Sequence, residues 1–210
     1  MNAVFLDLDG TLTDPKPGIT AAVIHALTRL GHEAPAADDL TWVIGPPLID
    51  SFAKMGVADP NKALALYRDY FSDRGLFENA VYDGIPAALD ALRADGHRLF
   101  LATAKPHVYA RRITAHFGLD RHLEAQFGPE LDGTHNDKAD LLAHALADRG
   151  IDASDAVMIG DRRQDVAAAQ ANAMPSIGVT WGYGADGELA DATVLCHAPD
   201  QLAKAVRQLA

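Results

Sequence analysis

An open, doubly wound α/β sheet carrying an all-helical insertion is the architecture this sequence predicts. Three observations carry it. From about residue 82 onward, short apolar runs alternate with helical segments of ~10–15 residues, the spacing of parallel βαβ units. The first apolar run, residues 3–8, is followed instead by a stretch with helical periodicity and no strand of the main sheet. Several of the apolar runs end in acids or a hydroxyl, as strands do where they emerge at a ligand-binding rim.

Taken in order, residues 3–8 read as a buried strand ending in VFLDLDGT, and Asp14, Pro15 and Pro17 break the chain after it. Ile19, Ala22, Val23, Ala26, Leu27 and Leu30 recur at helical spacing, closed by Gly31. Helical segments at residues 38–43, 48–55 and 61–74 follow, with Gly45, Pro46 and Pro47 between the first two. Then come a helix at 84–95, a strand at 98–102, a helix at 106–117, a loop at 128–136 and a helix at 137–149. A strand at 156–159, a helix at 166–173, short strands at 176–180 and 192–196, and a helix from Pro199 complete the chain. The expected division is a Rossmann-like core of residues 1–14 and 83–210, with residues 15–82 as a helical cap over the carboxyl edge of the sheet. Residues 14–15 and 79–83 are the expected hinges.

Composition narrows the function. The chain has 210 residues, 49% of them hydrophobic and 22% charged, the profile of a soluble globular protein. No apolar run reaches the ~18 residues of a membrane span, and the amino terminus lacks the features of a signal peptide. Cys196 is the single cysteine, which excludes an internal disulfide and suits a reducing cytoplasm. A net charge of −11 argues against a nucleic-acid polymer as partner. It leaves room for a small phosphorylated metabolite, because a metal and one or two placed cations reverse the field locally.

Four segments reach one rim of the sheet: Asp7 with Asp9, Thr103, Lys138, and Asp161 with Asp165. Asp9 is explained by the Asp-Gly turn alone, but Asp7 lies inside the apolar run and would be buried without a partner. Thr103 before Pro106 suits either a helix cap or a phosphate ligand at a helix start. Lys138 stands in the first turn of its helix, where the dipole disfavours a cation unless an anion lies beyond that end. Asp161 repeats the arrangement of Asp7, an apolar strand ending in an acid, and with Asp165 at spacing four would share one face of a helix. Two acidic strand ends form a hard oxygen site of the kind Mg²⁺ prefers. With a hydroxyl and a lysine added, the set fits phosphoryl transfer. The other histidines, His107, His116, His122 and His144, show no metal-ligand spacing and read as solvated or surface-facing.

DLDGTLTD, the Thr of LATAKP, the Lys of NDKADLL and MIGDRRQD, in that order, resemble the four motifs of the haloacid dehalogenase-like hydrolase superfamily. IGPPL, VYDGI and GVTWGYG resemble its phosphoglycolate phosphatase and 5'-nucleotidase-like subgroup with a helical cap. The resemblance implies Asp7 as nucleophile forming an aspartyl-phosphate, and Asp9 as the acid that protonates the leaving group and then activates water. It implies phosphate binding by Thr103, Lys138 and the backbone amides of Leu8 and Ala104. It implies Mg²⁺ held by Asp7, the Asp9 carbonyl and Asp161, with Asp165 in or just outside the ligand ring. Ala104 departs from the Ser or Asn common in relatives, and His135 from the Arg. Gly45, Pro46, Arg68 and His135 are candidate substrate contacts, and the WGYG segment a candidate wall of the site. Asp9 disfavours a dehalogenase, whose leaving halide needs no proton. The expected function is a Mg²⁺-dependent phosphomonoester hydrolase, monomeric or homodimeric. A phosphomutase or a catalytically idle binding protein on the same fold are the alternatives.

Overall fold

The computed structural model describes residues 1–209. The chain packs as two units, one formed by Asp14–Ala80 and the other by Met1–Thr13 together with the chain from Val81 onward.

The larger unit is built on β1 (Ala3–Leu6), which leads through a tight turn to the two-residue strand β2 (Thr13–Asp14). The helical unit contains α1 (Lys16–Arg29), α2 (Leu48–Lys54) and α3 (Pro60–Tyr70), with a 3₁₀ turn at Ala37–Val43 before α2. The helical pattern at 61–74 divides in the structure: α3 ends at Tyr70 and a π-helical turn, Phe71–Gly75, follows. That turn lies against α1, where Gly18 donates its N–H to the Glu78 carbonyl at 2.8 Å. A side chain at Gly18 would collide with the Gly75 carbonyl, so the close approach requires glycine. Tyr67 stacks on Phe71 with ring centroids 5.2 Å apart inside this unit.

The chain then forms β3 (Ala80–Val81), which pairs with β2, and continues as α4 (Ile85–Ala94), β4 (Arg98–Ala102) and α5 (His107–His116). Next come β5 (Ala125–Phe127), α6 (Lys138–Arg149), β6 (Ala156–Gly160), α7 (Arg163–Ala171), β7 (Ser176–Val179), β8 (Val194–Cys196) and α8 (Leu202–Arg207). The six long-range strands form one parallel sheet in the order β5-β4-β1-β6-β7-β8. The chain thus winds outward from β1 in one direction, returns, and winds outward in the other. The reversal falls between β1 and β6, the position where open α/β sheets bind ligands.

β1, β6 and β7 are buried along their whole length, as strands covered on both faces must be. On one face Phe5 stacks on Phe100 at 5.0 Å and packs with Met158, Leu142 and Ala169 beneath α6 and α7. Their neighbours in sequence, Val4, Leu6, Leu101 and Ile159, are buried on the opposite face.

Besides the divided 61–74 helix and the 3₁₀ turn in place of a helix at 38–43, three further sequence readings change. β5 was not anticipated: its three residues, AQF, are too few to show a strand period, and only pairing with β4 makes them one. The helix after Gly160 starts at Arg163 rather than 166, because Asp165 turns back to cap it. His122 is buried rather than solvated, its Nδ1 lying 3.2 Å from Asp90 while its Nε2 accepts from Arg121 at 3.1 Å. His107, His116 and His144 are at least partly exposed. No helix among the described residues is long and apolar enough to cross a membrane.

Candidate active site

The site lies at the reversal point, and the strand ladder itself builds it. Leu6 pairs with Ile159, and the Asp7 N–H donates to the Ile159 carbonyl at 2.9 Å, extending the ladder by one rung. Asp7 therefore leaves β1 directly beside Gly160 and Asp161. Beyond it the chain turns at Asp9-Gly10, and the Leu8 carbonyl receives the N–H groups of Leu12 and Thr13 at 2.9 and 3.0 Å. Gly10 adopts φ +83°, a conformation costly for any residue with a Cβ. A Cβ there would also overlap the Asp161 carboxylate.

Asp161 precedes α7 rather than lying on it, so the spacing of four with Asp165 is not a shared helical face. Asp165 is the third residue of α7, and its Oδ2 accepts the Arg162 N–H at 2.9 Å. That capping contact folds Asp165 back toward the end of β6. One carboxylate oxygen from each of Asp7, Asp161 and Asp165 comes within 4.8 Å of the others, all three residues being buried.

Lys138 enters from the other side. It is the first residue of α6, whose cap Asp137 accepts from the N–H groups of Ala139 and Asp140 at 2.8 and 3.0 Å. Its Nζ lies 2.8 Å from Asp7 Oδ1 and also contacts Asp165 Oδ1. The unfavourable helix position is resolved by these two buried acids.

Three buried carboxylates beside one ammonium leave an excess of negative charge. Burial pushes the Asp161 carboxyl up to about 7, with the charges of Asp7 and Asp165 adding to it. Burial also raises Asp165 against the pull of Lys138. Burial pulls Lys138 down, but Asp165 and Asp7 outweigh it and hold the ammonium above the usual lysine range. A cation drawing only on oxygen donors fits this set, and hard divalent ions take such ligands.

Thr103 directly follows β4, buried, and is not a helix cap: α5 begins at His107 after Pro106. Its hydroxyl accepts the Lys105 N–H at 3.2 Å. Leu8 is buried and Ala104 exposed. His135 is exposed at φ 60°, its ring stacked on His144 at 4.4 Å. Gly45, Pro46 and Arg68 belong to the helical unit, Gly45 at φ +105° and exposed, Pro46 and Arg68 half-buried.

Residues 4–179 match the haloacid dehalogenase-like hydrolases. The chain belongs to that family. It is similar to a 5'-nucleotidase of Pseudomonas aeruginosa, 46% identical over 189 residues, or 89% of this chain and 86% of the relative. It is also 41% identical over 208 residues to tyrosine-protein kinase PtkA of Mycobacterium tuberculosis, covering 97% of this chain and 72% of that protein. Among solved structures, a predicted phosphatase from Clostridium acetobutylicum superposes with a TM-score of 0.93 at 40% identity, covering 99% and 98% of the two chains.

Four contacts of this hydrolase site are not legible in the sequence, although two of them come from WGYG, the segment that the sequence marks as a candidate wall. Thr11 donates its hydroxyl to Asp161 Oδ1 at 3.3 Å, and the Tyr183 N–H donates to Asp161 Oδ2 at 2.7 Å. Trp181 donates its indole N–H to the Thr11 carbonyl at 3.1 Å, tying the WGYG segment to the turn after Asp9. Side chains at Gly182 or Gly184 would collide with Asp161 itself, so at these two positions only bare backbone fits against it. The fourth is Lys105, whose Nζ lies 2.7 Å from Asp9 Oδ2. Glycines bracketing an aromatic hinted at a close approach, whereas nothing in LATAKP distinguished Lys105 from a surface lysine.

Proposed function

We propose that this phosphatase of the haloacid dehalogenase-like family hydrolyses the phosphomonoester of a small metabolite through an aspartyl-phosphate on Asp7. The carrying observation is Asp7 itself, buried at the β1–β6 reversal and held by Lys138 with Asp161 and Asp165 beside it. An Asp7 oxygen attacks phosphorus, and the bond from phosphorus to the ester oxygen breaks. Asp9 gives its proton to that departing oxygen. Asp9 then takes a proton from water as the water oxygen attacks the acyl phosphate. The bond to Asp7 breaks, returning its carboxylate and releasing inorganic phosphate. Lys138, Thr103 and the amides of Leu8 and Ala104 hold the phosphoryl oxygens.

Asp7, Asp161 and the Asp9 carbonyl would hold Mg²⁺, with Asp165 alongside. The ion supplies positive charge against the phosphoryl oxygens when bound. The donor set supports this: buried oxygens only, with more negative charge than Lys138 balances. We assign the helical segment 15–82 as the cap that selects the leaving group, with Gly45, Pro46 and Arg68 as its candidate substrate contacts, and His135, in the loop before Lys138, as a candidate contact from the larger unit.

A nucleoside monophosphate is the first substrate to test, on the likeness to a protein named 5'-nucleotidase. The likeness to one named tyrosine-protein kinase supports a second acceptor, a hydroxyl in place of water at the same acyl phosphate. A Mg²⁺-supplemented panel of nucleoside monophosphates, phosphoglycolate, sugar phosphates and phosphotyrosine, scored for both free phosphate and transferred phosphoryl, separates the two. Asp7→Asn is expected to lower kcat by about 10⁴-fold with unchanged circular dichroism. Near-normal turnover in that variant would sink the mechanism.

A further inference from the structure

The core holds a second buried lysine that phosphate and metal binding leave without a role. The Lys105 side chain is 5% exposed, and a lysine that deep requires an anion. Its ammonium takes Asp9, while Lys138 takes Asp7 and Asp165. The two cations are thus divided between the attacking carboxylate and the proton-carrying one.

Lys105 is rigidly mounted. Its N–H is held by the Thr103 hydroxyl at 3.2 Å, and its carbonyl lies so close to Gly128 that a Cβ there would clash. It grips only one Asp9 oxygen, Oδ2, at 2.7 Å. The other, Oδ1, is buried and has no hydrogen-bond partner. We propose that Lys105 is a positioning residue for Asp9: by anchoring Oδ2 it presents Oδ1 as the oxygen that exchanges the proton with the leaving group. As the bond to phosphorus breaks, the proton on Oδ1 moves to the ester oxygen and Asp9 becomes a carboxylate. The neighbouring ammonium stabilises that new charge without moving. The inference rests on Asp9 acting as the acid in phosphate-ester cleavage.

Leaving-group dependence tests it, because a phenolate as good as p-nitrophenolate departs without a proton and an alkoxide does not. In Lys105→Met, kcat/KM for an alkyl phosphate such as glycerol phosphate is expected to fall about 10²-fold or more, and that for p-nitrophenyl phosphate by about threefold or less. Lys105→Arg should restore most of the alkyl activity. In an Asp9→Asn background, Lys105→Met should cost the alkyl ester nothing further. Should Lys105→Met not fold, Lys105→Gln carries the same comparison. Equal losses on both esters, or a full additional loss in the Asp9→Asn background, would overturn the proposal and make Lys105 a phosphate ligand or a packing residue. A wild-type protein that cleaves neither ester would instead fail the phosphatase reading, and this inference with it.

Discussion

Charged groups stand at both edges of the parallel sheet, and burial makes them behave in opposite ways. At the amino edge, Arg98 at the start of β4 grips Glu124 through bonds of 2.8 and 2.6 Å. Both side chains are about a third or more exposed, at 34% and 41%. There the hydrogen bond from Arg98 outweighs burial, and the Glu124 carboxyl lies below its usual range. At the carboxyl edge Asp9, Asp161 and Asp165 also have cationic or N–H partners at hand, yet burial wins and all three are raised. Pairing in contact with water satisfies a carboxylate. Pairing in the interior leaves this cluster short of positive charge, so its acids are held ready for a cation rather than for the fold.

The comparison can be broken most severely at Lys138. Lys138→Met removes the one ammonium between Asp7 and Asp165 and is expected to destabilise the metal-free protein by about 3–5 kcal/mol, read by urea unfolding. A loss no larger than that of a surface variant would mean the buried acids do not need it.

Next in size is the response to pH and metal. Fold-raised carboxyls stabilise the protein in their protonated form, fully below the ordinary carboxylate pKa of 3.8, and that contribution is lost as pH rises through about 7. The metal-free protein is therefore expected to lose stability across that window. Mg²⁺ and protons compete for the same oxygens, so the rise in Tm on adding Mg²⁺ should be larger near ~pH 8 than near ~pH 5. At about 100 times Kd the gain should approach ~2.7 kcal/mol. Scanning calorimetry with EDTA or MgCl₂ checks this, and a pH-independent shift would place the metal elsewhere.

A subtler break is Gly182→Ala, whose Cβ would overlap both the Asp161 carboxylate and the Gly10 carbonyl. Because one of those is backbone, the variant is expected to cost about 1–3 kcal/mol and to weaken the Mg²⁺-induced rise in Tm. Smallest is Arg98→Ala at the opposite edge, expected within about 1 kcal/mol of wild type with kcat/KM unchanged. A large loss of activity there would erase the contrast between the two edges.

The main elements of the core and several members of the candidate site were legible along the chain. Buried strands announce themselves by continuous apolar runs, and an acid at the end of such a run is conspicuous because nothing else in the run is charged. Lys138 could be read the same way, as a cation at a helix start that resists one. β5 was not legible, since three residues cannot display a period. His122 was not either, because its burial depends on packing against Asp90 of α4, far away along the chain.

Alternation of apolar runs with helices, and acids at strand ends, thus determined by themselves the sheet, the helical insertion and the rim where Asp7, Asp161 and Lys138 emerge. Those are properties of local period and of the cost of burying charge, and both are written residue by residue. Only the tertiary structure decided that Lys105 turns onto Asp9, that Asp165 folds back beside Asp7 and Asp161, and that the Tyr183 amide reaches Asp161. Such choices depend on where loops from distant parts of the chain bring a side chain or an N–H group. The energy that settles them, desolvation against pairing, exists only once those groups share one buried space.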